Sequence, residues 1–183
     1  KYHLPGEHDQ LDHGSWASGE KSPVSQLPEK IRAEFLKAEA RISKNNNRET
    51  AVIAMPGWSS GEIVEIKGEA TKVRFDAYMV SEANRHGDAI LTHNHPTDVS
   101  DGDKIMSVSG LSVPDFIAAE TMNLKEIRAV VSHKSGDYVF SAIRPSGGWP
   151  DALSLSKAFT AQDSKLAEIR SVVIERINKA KAE

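Results

Sequence analysis

The chain is predicted to fold as an α+β domain, a mixed and mostly antiparallel sheet flanked by helices. Three observations predict this class. Short apolar runs of strand length, bounded by turn residues, recur at 51–55, 63–66, 89–91, 127–132 and 138–143. Other stretches step their apolar residues by three and four, the period of a helix with one buried face. The cluster Lys134-Ser135-Gly136-Asp137 joins the last two apolar runs in the manner of a hairpin. Strands and helices mixed in this order fit α+β packing.

Residues 1–27 are rich in Gly, Ser, Pro and charge, and read as a flexible linker. Its His3, His8 and His13 recur every fifth residue, a spacing that suits neither one strand face nor one helix face, so a metal site there is the weaker reading. A helix is expected from Pro28 to Ile42, with Ile31, Phe35, Ala38 and Ile42 along one stripe and Asn45-Asn46-Asn47 beyond its end. Ala51 to Met55 is the first strand, turned at Pro56, Gly57 and Ser59 to Gly61. Ile63, Val64 and Ile66 open a second, and after Gly68 the alternation of Thr71 to Phe75 predicts a third, all as antiparallel neighbours. Val80 to His86 is a short helix that Gly87 closes. The strands at 127–132 and 138–143 complete the sheet. Pro145, Gly147, Gly148 and Pro150 then break the pattern, so the domain is bounded at 28–145. Residues 146–183 are a linker and an amphipathic helix, with Leu166, Ile169, Val173 and Ile177 on one stripe that packs on the domain or on another helix.

The chemistry concentrates between Asp88 and Asp115. The run Ala89-Ile90-Leu91 delivers Thr92-His93-Asn94-His95-Pro96 at its end. Alternate residues of a strand share a face, so His93 and His95 present both imidazoles to one side, and Pro96 keeps His95 extended. Farther on, Leu111-Ser112-Val113-Pro114-Asp115 has the composition of a helix start: Ser112 as N-cap, Pro114 in the first turn, and an acidic residue favoured by the helix dipole. Asp115 is the candidate third ligand. A bland reading stands beside each assignment: surface or core histidines, a simple helix cap, and solvated glutamates.

These residues resemble the metal motif of the JAB/MPN (JAMM) zinc metalloprotease-like superfamily, His-x-His-Pro followed by Ser-x-x-Asp, and Glu126-Ile127-Arg128-Ala129-Val130 extends the likeness. It covers roughly residues 48 to 144 and is nearest to JAB-like domains attached to bacteriophage head morphogenesis proteins. The family implies a cytidine-deaminase-like architecture, Zn2+ held by His93, His95 and Asp115, and hydrolysis of amide bonds in a polypeptide. It also implies a glutamate at the start of the first strand as general base, which Glu49 matches, with Glu62, Glu65 and Glu69 as competitors on position alone. Ser112 would donate to the developing oxyanion, a contribution of about 2.7 to 4 kcal/mol for one donor. The departure is the spacer, residues 97–111, several residues longer than is usual in the family. Within it a second Ser-x-x-Asp, Ser100 to Asp103, stands too close to the histidines. Only Asp115 opens a stretch with an apolar face (Phe116, Ala119, Met122, Leu124) leading into a strand. His86 and His133 have no motif partner and read as ordinary histidines. The stretch His-Leu-Pro-Gly-x-His-Asp-Gln-x-x-His-Gly at residues 3–14 is similar to one in phage structural proteins. Phage head proteins are therefore the expected partners, and a bacterial host cytoplasm or phage particle the expected location.

Bulk properties narrow the field. A chain of 183 residues can bury a core without disulfides, and it has no cysteine, which excludes Cys-based zinc sites and thiol nucleophiles. The net charge of −3 supplies no basic field to steer the chain to nucleic acid. No apolar run approaches the roughly 20 residues of a membrane span, and no signal segment opens the chain. Its first residue is Lys1 rather than Met, consistent with a piece of a longer chain, with processing or with choice of boundary. A non-catalytic interaction module of a phage particle is the competing class, and a nucleic-acid-acting enzyme stands third.

Overall fold

The computed structural model describes residues 22–45, 47–70, 72–96, 111–133, 136–154 and 157. Three expected features lie outside the described residues: the stretch holding His3, His8 and His13, the Ser100 to Asp103 pair, and the C-terminal stripe from Leu166 to Ile177. Among the described residues five strands form one mixed sheet: β1 (Thr50–Ala54), β2 (Ile63–Lys67), β3 (Ile90–Asn94), β4 (Glu126–His133) and β5 (Gly136–Ile143). Their order is β2-β1-β3-β4-β5. Every neighbouring pair is antiparallel except β3 and β4, which run parallel. A parallel pair needs a crossover, and here it contains a helix, α3 (Val113–Thr121). The α+β class read from the sequence is therefore the observed one.

Both faces of the sheet centre are covered, so every residue of β1 and β3 is buried, and β1 reads as a near-continuous apolar run. Alternate residues sort to the two sides. Ala51, Ile53, Leu91 and Ile127 pack with Met79 and Ala83 of α2 (Ala77–His86) and Ala119 of α3. Val52, Ala54, Ile90 and Val130 pack with Ile31, Phe35, Ala38 and Ile42 of α1 (Glu29–Ile42), the stripe anticipated from its spacing. The α1 face also buries charge. Arg128 of β4 donates to both oxygens of Glu39 at 2.7 and 3.0 Å and to Glu126 at 2.9 Å. Burial works against the Arg128 cation, but the two carboxylates outweigh it and raise its pKa above the ordinary value. Glu126 is fully buried and also accepts from Ser141 Oγ at 2.7 Å and Ser22 Oγ at 3.2 Å.

The structure corrects three boundaries. Residues 22–27, assigned above to the flexible linker, are core: Ser22, Val24 and Leu27 are buried, and a 3-10 turn over Pro23–Gln26 seats them against Glu126. Residues 72–76 are not a strand. Glu69 N donates to Lys72 O at 2.8 Å, turning the chain, and Val73 and Phe75 pack onto the α2/α3 side of the sheet instead of lengthening its edge. Only glycine suits position 68, because a Cβ there would stand 2.3 Å from Lys72 O and 2.9 Å from Glu49 O. Finally, α2 begins at Ala77 rather than Val80, because Asp76 caps it by accepting from Met79 N at 2.8 Å; Gly87 closes it at φ 69° as expected.

The chain divides into two compact units after Trp149. Trp149 belongs to the first: its Nε1 donates to Leu124 O at 2.7 Å, and its ring meets Phe116 edge-on. In the second, Asp151 accepts from Ser154 N and Oγ at 2.9 and 2.6 Å. Among the described residues no helix is long and apolar enough to cross a membrane.

Candidate metal centre

The central position of β3 delivers the two histidines. His93 is the last β3 residue paired with β1, opposite Ala51, and lies beside Ala129 of β4. Beyond the strand, His95 N donates to Val130 O at 3.2 Å, which keeps the backbone extended and returns His95 to the His93 side. The two Nε2 atoms stand 2.8 Å apart. Imidazole nitrogens that close require a shared proton or a cation, since two bare lone pairs repel.

Asp115 arrives from the other side on the first turn of α3. Ser112 is the N-cap and forms a capping box with Asp115, and Pro114 occupies the first turn, as the sequence suggested. Ser112 N and Oγ both donate to Asp115 Oδ2, at 2.6 and 2.7 Å. The carboxylate therefore faces the imidazoles in a fixed orientation, with Oδ1 3.1 Å from His93 Nε2 and Oδ2 3.7 Å from His95 Nε2. Burial alone would raise the Asp115 pKa. The hydrogen bond and charge of His93, with the two donors of Ser112, overcome burial and hold it down at about 2. His93, His95 and Asp115 each offer one ligand atom, and these atoms lie within 4.8 Å of one another.

Glu49 precedes β1 by one residue, and its main chain is fixed by Glu49 N to Glu69 O at 2.8 Å and Gly68 N to Glu49 O at 2.9 Å. Its side chain lines the same cleft of about 190 Å³ as His93, His95, Ser112 and Asp115. Partial burial is the main reason its pKa is raised; His93 opposes the shift and Asp115 adds to it. The competing glutamates are elsewhere. Glu62 accepts from Gly57 N, Glu65 pairs with Arg41, and Glu69 pairs with Lys72 and Arg74, and none of the three lines the cleft. His86 sits beside Glu82 and Arg85 on α2, away from this site.

Two imidazoles and a carboxylate are a donor set that suits zinc, and also other divalent first-row metals. His93 Nδ1, the ring nitrogen turned away from these ligand atoms, is buried with no partner among the described residues, a place for a bridging water rather than for the ion itself. Sequence reasoning passed over two parts of the site. Val73 and Phe75 form an apolar wall of the cleft where the sequence predicts a third strand, because alternation cannot tell a hydrogen-bonded strand from a segment lying across a sheet face. Asn94, between the two histidines, holds the loop before β1. A readable signal existed, since Asn is depleted in strands and needs a reason to sit in a buried one. Searches against protein-family models, curated proteins and solved structures find no match to the chain.

Proposed function

We propose that the protein is a zinc-dependent hydrolase of JAB/MPN type, a peptidase or isopeptidase acting on a polypeptide, with phage head proteins as its partners in a bacterial host or phage particle. One observation carries the reading: His93 and His95, at the end of β3, meet Asp115 of α3 while Glu49 and Ser112 line the same cleft. The three ligands would hold the ion, which when bound supplies Lewis acidity and lowers the pKa of water toward about 7.

The chain's own groups perform the remaining work. Glu49 takes a proton from the attacking water at its carboxylate and returns it to the leaving nitrogen; a pKa raised by burial moves this carboxyl toward the range useful for proton transfer. Ser112 orients the Asp115 carboxylate through two hydrogen bonds, and rotation of its hydroxyl hydrogen would present a donor to the oxyanion. Val73 and Phe75 exclude water from one wall of the cleft.

The test uses metal analysis together with cleavage. Protein purified without a chelating tag is expected to hold about one zinc, and His93→Ala with His95→Ala to lose it. Glu49→Gln is expected to keep zinc and fold but to lose about 10² to 10⁴ in rate. Incubation with partner virion proteins should yield new termini from the wild type alone. Zinc retained by the double histidine variant overturns the site. Zinc bound with no cleavage difference between wild type and Glu49→Gln favours an interaction module.

A further inference from the structure

The residue between the two candidate ligands points away from them and into the loop that carries Glu49. Asn94 is buried, and its amide is fully committed there. Its Oδ1 accepts from Thr50 N at 2.6 Å, and its Nδ2 donates to Asn45 O at 2.6 Å and Arg48 O at 3.0 Å. The paired register of β1 and β3 ends at Ala51 and His93. One step beyond, a side chain has replaced the main chain as the partner of Thr50. Glu49 is thus secured on the β2 side by main-chain bonds to Gly68 and Glu69, and on the β3 side through Asn94's grip on both neighbours, Arg48 and Thr50.

We infer that Asn94 is a positioning residue that sets where the Glu49 carboxyl stands relative to His93 and His95. The inference rests on the metallohydrolase reading for its catalytic meaning. The physical basis is local. Side-chain direction alternates along a strand, so even a partial slip of the segment before β1 turns Glu49 away from the cleft. The bonds that resist the slip originate from the very residue that separates the two ligands. Ligand spacing and base placement are therefore coupled through a single backbone position. Asn suits this role because one planar amide offers two donors and an acceptor in fixed directions. Asp in the same place keeps an acceptor for Thr50 N but sets charge against the Asn45 and Arg48 carbonyls.

Cobalt(II) provides a probe that reads position without turnover. One equivalent is added to wild type, Asn94→Ala and Asn94→Asp, each labelled with carbon-13 in the glutamate carboxyls. The visible absorption of cobalt reports the ligand set, and paramagnetic relaxation of the Glu49 carboxyl reports its distance from the ion. Both variants are expected to bind cobalt with the wild-type spectrum while Glu49 relaxation falls several-fold. Cleavage, where a substrate is in hand, should fall about 10²-fold in kcat with KM little changed, the effect of a displacement near 1 Å. Unchanged Glu49 relaxation in both variants overturns the assignment. So does loss of cobalt, which would make Asn94 a support of the histidines alone. If Asn94→Ala does not fold, the isosteric Asn94→Asp decides. If wild type itself takes no cobalt, the metal reading fails. The positioning role is then decided in metal-free protein by the carbon-13 shift of the partly buried Glu49 carboxyl, which must move toward that of a solvated glutamate in the variants.

Discussion

The Asp115 carboxyl shows how one residue ties local structure to the site. Its folded pKa of about 2 lies below the model-peptide 3.8, so ionised Asp115 stabilises the fold. The stabilisation is fully present above about pH 4 and is lost as pH falls through about 2. A depression of nearly two pH units corresponds to about 2 kcal/mol. In chelator-treated protein, Asp115→Asn should therefore lower the urea midpoint at pH 6, and the gap to wild type should close progressively below pH 4. A gap that persists undiminished at pH 2.5 would contradict the assignment. This residue was legible in the sequence because Ser-x-x-Asp with a proline inside it reads as both a cap and a candidate ligand. A buried Asn in a strand signals some role for Asn94, but which one was not legible, because its partners, Asn45, Arg48 and Thr50, lie 44 to 49 residues away and no local pattern announces them.

At the scale of elements, periodicity located α1, β1, β2, β3 and the β4–β5 hairpin, since each buries a face whose repeat is written in the chain. Where extended chain packs without a partner strand, as at residues 72–76, alternation predicted too much. The buried ion network was invisible for a different reason. Glu39 looks like a solvated helix position, and only the approach of β4 to α1 makes it the partner of Arg128. Arg128→Leu should destabilise the protein by about 3 to 5 kcal/mol, because it leaves two carboxylates buried without their cation. The triple change Glu39→Leu, Arg128→Met and Glu126→Gln should cost less, since it leaves no buried charge without its partner and keeps an amide oxygen for the Ser22, Val24 and Ser141 donors. Urea denaturation of both proteins checks this, and equal losses would refute it.

For the molecule as a whole, the candidate site joins strand ends and a helix start that are distant in sequence, so metal should bind the native state and not the unfolded chain. Zinc at about 100 times its Kd would then contribute about 2.7 kcal/mol, a rise in melting temperature on the order of 5 to 10 °C. Chelation should reverse it, and His93→Ala with His95→Ala should abolish it in differential scanning calorimetry. The fold class was readable from elements alone. The location of the candidate site was readable too, because the histidines and Asp115 are each tied to a local signal. The boundary at Ser22 was not, since the polar residues that suggested a linker are satisfied by Glu126 only in the folded state.

The single parallel pair has a kinetic consequence. β1 can meet β2 through a short connection, and β4 can meet β5 through a tighter one. The join of β3 to β4, however, must wait for the whole crossover from His95 to Lys125 to close, an entropic cost met before any contact rewards it. Asp115 rides within that crossover. The two histidines come together as soon as β3 is extended, but Asp115 joins them only when the crossover has closed, so the assembled His93, His95 and Asp115 cluster serves as a clock for that step.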